Sequence, residues 1–267
     1  MSKRIVCWIG DAPNHRALVN KIALQYEVVG IIVDVKKKIR KNTGLVSSWR
    51  KLINKLYFGK IDRAWAGMQQ YYRQKFPGWP GKPMLTIDSI NDSAAYELTK
   101  KLEPDMVVVS GTSLIKDPLV SMSLPIGIIN LHTGLSPYVK GGPNCTNWCI
   151  ANNQWGLIGN TILWLSSGID SGHIICSERI DVSNLKELNQ IHFNVMEHAH
   201  DLYLRAIKYI FSMNPPYQSI PQKSLGKGNL YLTKMWTSKQ KENLLRNLSG
   251  NRNNVLLAEV KTIPLPF

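Results

Sequence analysis

The chain of 267 residues carries a formal net charge of +15, with 44% hydrophobic and 19% charged residues. These values fit one large globular unit with a small extension and exclude a disordered, collagen-like or disulfide-stapled polypeptide. No apolar run approaches the roughly 20 residues of a membrane-spanning helix, and Met1-Ser2-Lys3-Arg4 leads into a strand without a signal-peptide pattern, so the expected location is the cytoplasm. The positive excess favours an anionic partner. Nucleic acid, a nucleotide diphosphate, a polyglutamylated cofactor and an anionic membrane surface all fit, as does a basic surface that only solubilises. The cysteines are Cys7, Cys145, Cys149 and Cys176. They lack metal-binding spacing and are expected to be reduced core thiols, with no metal site.

In chain order, Lys3 to Ile9 is a strand, and Gly10-Asp11-Ala12-Pro13-Asn14 turns into a helix running from about Pro13 to Gln25. Glu27 to Val35 is a second strand. Strand, helix, strand at this spacing implies a right-handed parallel crossover and a Rossmann-like α/β fold, its mainly parallel central sheet flanked by helices. The first turn lacks the glycine-rich dinucleotide fingerprint, so neither NAD nor FAD is expected. Asn14, with His15 and Arg16 beside it, is a candidate anion contact at the helix start, against the plainer reading of capping.

From Lys36 to Lys60 the chain carries Lys36, Lys37, Lys38, Arg40, Lys41, Arg50, Lys51, Lys55 and Lys60 and no acid. Trp49, Leu52, Ile53 and Leu56 have helical spacing, which predicts an amphipathic basic helix. Trp65, Tyr71, Tyr72, Phe76 and Trp79 follow before a proline- and glycine-rich stop at Pro77 to Pro83. The segment, about 36–83, reads as a basic aromatic insertion between the second and third βα units. It is either a solvated helix over the sheet or a grip on a phosphate-bearing substrate with a stackable base. Met84 to Ile87 is a short strand, and Asp92 to Leu102 a helix capped by Asn91 or Asp92.

Further on, Leu185 to Met213 reads as one long helix ended by Pro215-Pro216, with His192, His198 and His200 expected at the surface or in packing rather than as ligands. Ser238 to Leu248 is another helix and Val255 to Thr262 is strand-like. The expected division is a catalytic unit over 1–214 and a small accessory element or dimer contact over 215–267.

Between these lies the most informative stretch. Gly127-Ile128-Ile129 is apolar and β-branched, so it should run through the sheet, and Asn130 and His132 come where the apolar run stops, on the same side of the strand. Thr133 to Pro143 is a glycine- and proline-rich loop, followed by a helix from Asn144 to Ala151. Ile158 to Leu165 is a strand, Ser166 to Gly172 a loop carrying Asp170, and His173 to Ile180 a closing strand. An amide, an imidazole and a carboxylate at strand ends can donate to a developing oxyanion and keep a histidine oriented or protonated.

Asn130-x-His132, Pro137 five positions after the histidine, Gly141 nine after it, and Asp170-x-Gly172 after the next strand resemble the formyltransferases that use 10-formyltetrahydrofolate. Upstream, Pro104-Asp105-Met106-Val107-Val108-Val109-Ser110-Gly111-Thr112-Ser113-Leu114-Ile115 is similar to the strand and loop with which that family holds the pterin. One departure is Gly134-Leu135-Ser136-Pro137, where the family usually has serine, leucine, leucine and proline. The resemblance implies Asn130, His132 and Asp170 as catalytic residues. It implies Ser110, Gly111, Thr112, Ser113, Leu114, Ile115, Leu165 and Gly168 as contacts to 10-formyltetrahydrofolate, the co-substrate. Asn14, Lys140, Gly141 and Gly142 are the implied acceptor contacts. The loop pattern around Gly134 and Gly141 looks most like the branch that formylates nucleotide-linked amino sugars for surface polysaccharide such as O-antigen in lipopolysaccharide. Methionyl-tRNA and glycinamide ribonucleotide are the alternative acceptors, and an idle folate- or RNA-binding regulator is the alternative of another class. The partner implied is thus a small nucleotide sugar, with no stable nucleic-acid partner, no membrane span and a possible homodimer.

Overall fold

The structure is a computed structural model; it describes residues 2–36, 46–250 and 260–266, with the backbone alone over 46–55. The first half runs β1 (Arg4–Gly10), α1 (Pro13–Ala23), β2 (Glu27–Asp34), α2 (Val46–Lys75), β3 (Met84–Ile87), α3 (Ser93–Leu102), β4 (Met106–Ser110) and β5 (Gly127–His132). The second runs β6 (Val139–Gly141), α4 (Cys145–Ala151), β7 (Gly159–Trp164), β8 (Ile174–Arg179), α5 (Leu188–Ser212), β9 (Asn229–Tyr231) and α6 (Ser238–Ser249). A 7-stranded sheet has the order β3-β2-β1-β4-β5-β7-β8. β3 through β5 pair in parallel, while β7 and β8 join as an antiparallel meander.

β1 lies inside the sheet between β2 and β4 and is buried on both faces, which is why its apolar residues run continuously instead of alternating with polar ones. Ile5, Cys7 and Ile9 pack into one cluster with Leu18 and Ile22 of α1, Tyr72 of α2 and Tyr203 of α5. Val6 and Trp8 face the other way, into a cluster with Ala95 of α3 and Val107 and Val109 of β4. Trp8 Nε1 donates to Thr99 Oγ1 at 3.0 Å, so the one polar atom of that ring is satisfied in the core. The strand order reverses between β1 and β4, and the crevice outside the carboxyl ends of such strands is where open α/β sheets bind ligands.

The expected insertion is the β2–β3 crossover itself. α2 forms a single 30-residue helix that buries Met68 and Tyr72, and the Tyr72 hydroxyl donates to Glu197 Oε1 at 2.7 Å. Leu56, predicted for its apolar face, is exposed; Trp49, Leu52 and Ile53 lie outside the described side chains. Asp92 caps α3, its Oδ1 accepting from the Ala94 amide at 2.9 Å. The C-terminal tail folds back onto the chain: β9 pairs in parallel with β6, and Tyr231 and Leu244 share an apolar cluster with Trp148 and Cys149 of α4. Of the strand expected at Val255 to Thr262, residues 255–259 lie outside the described residues and 260–262 form no strand. All four cysteines are free and buried, and among the described residues no helix is long and apolar enough to cross a membrane.

Candidate active site

Asn130 and His132 occupy the last turn of pleat in β5, where Val109 pairs with Asn130 on one side and Thr161 pairs with His132 on the other. Tyr203 reaches up from α5 and holds the two parallel strands together just before the site. Its hydroxyl accepts from the Val109 amide at 2.9 Å and has the carbonyl oxygens of Ile129 at 2.8 Å and Val109 at 3.1 Å to donate to.

His132 is buried, with an acceptor at each ring nitrogen: Nε2 lies 2.9 Å from the Val139 carbonyl oxygen and Nδ1 3.2 Å from Asp170 Oδ2. Cys145 Sγ stands 3.8 Å from Nε2. Burial by itself pulls the imidazole toward neutrality, but the Asp170 charge, Cys145 and the Val139 carbonyl together raise its pKa to about 10. The ring is therefore an imidazolium at neutral pH, with both N–H groups directed at protein acceptors, and Asn130 carries the uncommitted donor. Its half-buried side chain lines the cleft and makes no hydrogen bond among the described residues. The departure at Gly134 has a steric cause. A Cβ there would lie 2.4 Å from His132 Nε2 and 2.9 Å from the Val139 oxygen, so glycine makes room for the ring's inner edge.

Asp170 has a left-handed backbone, φ 46°, which aspartate tolerates better than most residues. Its Oδ2 also accepts from the Gly141 amide at 3.0 Å, tying the loop after β7 to the strand β6.

These groups open onto a cleft of about 540 Å³. Every sequence-predicted site residue lines it except Lys140, which lies one residue from Gly141 and outside the lining. The loop Ser110 to Ile115 forms one wall. Asp34 at the end of β2 anchors it, Oδ2 accepting from the Ser113 amide at 2.6 Å. Gly111 has φ +71°, and a Cβ on it would fall 1.9 Å from the His15 ring, so glycine is required twice over. Leu114 and Ile169 line the cleft and remain exposed.

The anion contact considered at the start of α1 is not what the geometry provides. The Asn14 amide donates to Gln69 Oε1 at 3.2 Å, the His15 and Arg16 amides close onto the Ala12 oxygen at 3.0 and 3.1 Å, and Arg16 Nε turns to the Phe76 oxygen. With Pro13 lacking an N–H, the donors an anion would use are already engaged. Asn14 does line the cleft, its Oδ1 accepting from Gln69 Nε2 at 2.8 Å.

Sequence reasoning missed the lining residues Met196, Tyr231, Leu232 and Thr233, and named His15 only as a neighbour of the candidate anion contact. His15 is half-buried, and its pKa falls to about 4 through desolvation and the nearby Lys36 charge. Trp65, noted only as one aromatic among several, also lines the cleft and meets His192 edge-on at 5.4 Å. Among the described residues no group of histidine, cysteine, aspartate and glutamate could hold a metal ion.

The mainly parallel α/β sheet thus holds, in its switch-point crevice, an asparagine beside a carboxylate-paired histidine. Residues 3–207 match the family described as formyl transferase, and the chain belongs to that family. A methionyl-tRNA formyltransferase from Syntrophus aciditrophicus is 28% identical over 134 residues, covering 50% of this chain and 42% of that relative. The chain thus spans under half the length of the curated relatives it matches first. In fold it is similar to a sugar N-formyltransferase from a Shewanella species, with a TM-score of 0.58 at 16% identity, covering 98% of this chain and 96% of that one. It is also similar to glycinamide ribonucleotide transformylase 1 from Symbiobacterium toebii, with a TM-score of 0.54 at 17% identity and coverage of 82% and 94%.

Proposed function

We propose that the protein transfers a formyl group from 10-formyltetrahydrofolate to the amino group of a nucleotide-linked amino sugar. The observation that carries the reading is the His132–Asp170 pair at 3.2 Å beside the uncommitted Asn130 amide, at the head of a cleft walled by Ser110 to Ile115. That wall, with Leu114, Ile115, Leu165 and Ile169 on it, suits a flat pteridine ring. When bound, 10-formyltetrahydrofolate supplies the formyl carbon that an amine attacks. Asn130 donates to the oxygen as it gains negative charge, and the His132 imidazolium places a fixed positive charge next to it. Asp170 would collect the proton that the amine sheds and return it to the donor nitrogen as the bond from that nitrogen to the formyl carbon breaks, leaving tetrahydrofolate and the formylated amine.

The sugar acceptor is supported by architecture: the likeness to the sugar N-formyltransferase runs through the C-terminal tail, and that tail supplies Tyr231, Leu232 and Thr233 to the cleft. Methionyl-tRNA is the second reading, favoured by the charge of +15 and by the relative from Syntrophus. The test is mass spectrometry of products formed by purified protein with 10-formyltetrahydrofolate and a panel of amino-sugar nucleotides, glycinamide ribonucleotide and methionyl-tRNA. A formyl mass gain on one sugar nucleotide, lost in His132→Ala, is the expected result. Gain on tRNA alone would transfer the assignment to the second reading, and no gain on any acceptor would contradict both.

A further inference from the structure

The loop that carries Asp170 is held from outside by a residue of the C-terminal tail. Gln222, in a short 3-10 turn at Gln222–Ser224, is buried, and its Nε2 donates to two carbonyl oxygens of that loop, Asp170 at 2.6 Å and Gly172 at 2.8 Å. With carbonyl acceptors on both sides, the amide orientation is forced: only the NH₂ end can satisfy them. Its Oε1 is buried with no hydrogen-bond partner among the described residues, an unfavourable arrangement for a side chain whose role is to fill space. Two flanking bonds register the clamp: the Ile174 and Ile220 amides each donate to the other's carbonyl at 2.8 Å.

The loop's own bonds do not fix where the carboxylate points. Ser166 Oγ and Ser171 Oγ lie 2.7 Å apart, and the Gly168 amide closes onto the Ser166 oxygen; both are internal to it. Asp170 meanwhile holds a left-handed backbone at φ 46°, an uncommon conformation that the surroundings must maintain. The clamp acts on the very peptide whose conformation aims the carboxylate. The tail also holds the second contact of that carboxylate. β9 pairs with β6, the Gly142 amide donates to the Tyr231 oxygen at 2.9 Å, and the neighbouring Gly141 amide donates to Asp170 Oδ2.

We infer that Gln222 is a positioning residue for the reaction: its two hydrogen bonds hold the backbone of Asp170 and Gly172 so that the carboxylate meets His132 Nδ1. The inference rests on the reading of His132 and Asp170 as the reacting pair. It assigns the tail a part in the chemistry, beyond lining the acceptor end of the cleft.

The test is an NMR titration of the His132 imidazole in the full chain, alongside steady-state kinetics, for the parent, Asp170→Asn, Gln222→Met and Gln222→Glu. The titratable groups facing His132 are Asp170 and Cys145, so Cys145 is left in place throughout. Gln222→Met keeps the length and packing without the donors. Gln222→Glu keeps the shape and places a carboxylate against two carbonyls, and it serves equally if the methionine variant does not fold. Loss of the clamp should lower the proton affinity of His132 by about tenfold or more, equivalent to one pKa unit. kcat should fall by about the same factor, with KM for the formyl donor unchanged. An unaltered His132 titration in both Gln222 variants, with a shift in Asp170→Asn, would overturn the role of Gln222 alone. No shift in Asp170→Asn would overturn the underlying pair instead.

Discussion

His132 and His192 are both buried, and they titrate in opposite directions. His192, on the face of α5 toward α4, has the Asn147 side-chain oxygen at 2.8 Å and the edge of Trp65 beside it but no carboxylate among its hydrogen-bond partners in the described residues, and burial lowers its pKa to about 4. His132 suffers the same burial but has Asp170 at 3.2 Å, and its pKa is raised to about 10. Apolar surroundings alone make a neutral histidine; a charged one in the same core needs a carboxylate delivered to it. The strand end, the glycine at 134 and the left-handed loop at 170 perform that delivery, whereas α5 needs only a polar side chain to satisfy one ring nitrogen.

The contrast breaks first at the carboxylate and the ring. His132→Ala should reduce kcat by about 10²–10³-fold, the span for removing one electrostatic stabiliser of a developing oxyanion. Asp170→Asn should bring the His132 titration down toward that of His192 and slow transfer over the same range; both are read from product mass against time. Asn130→Ala should cost about 10²–10³-fold in kcat, as for loss of one oxyanion donor, with little change in folding by denaturant melt. Gly134→Ala, by pushing a methyl against His132 Nε2, should destabilise by about 1–3 kcal/mol and be visible in the same melt. His192→Leu is the mild counterpart: a loss of about 0.5–1.5 kcal/mol for its hydrogen bond, and unchanged chemistry.

Stability against pH separates the two residues by sign. A raised pKa means that the folded state binds the extra proton, so the contribution of His132 is fully present below pH 6.5 and is lost as pH rises through about 10. A lowered one means the reverse: the contribution of His192 is present above pH 6.5 and is lost as pH falls through about 4. Denaturant melts across this range should show a smaller decline between pH 6.5 and about 10 in Asp170→Asn, with the part owed to the buried thiols of Cys7, Cys149 and Cys176 remaining. In His192→Leu the acid decline should be only partly reduced, because His15 and His200 are lowered too.

Much of this was legible in the chain. The continuous apolar runs at Ile5 to Ile9 and Met106 to Val109 announce strands buried on both faces, and the polar stop at Asn130 and His132 announces the sheet's carboxyl end. Asp170 was readable as a loop acid, and its loop was bounded by the glycines that shape it. The role of Gly134 was not, because the atom it avoids, His132 Nε2, becomes its neighbour only once Val139 and Cys145 fold beneath the ring. The tail was hidden for a similar reason. β9 and β6 are three residues each, too short for a periodic signal, and Gln222 and Tyr231 reach the site through pairing over more than fifty residues of sequence. Gln69 and Asn14 likewise meet across two elements, so the filled donors at the start of α1 could not be read from the turn alone.

The most direct measurement is a ¹⁵N-edited NMR titration of the parent protein's histidines from pH 4 to pH 11. His132 should stay doubly protonated through neutrality and titrate near pH 10, while His192 remains neutral until the pH falls to about 4. A His132 ring that loses its proton near pH 6.5 or below would contradict the carboxylate-held imidazolium on which the proposed chemistry rests.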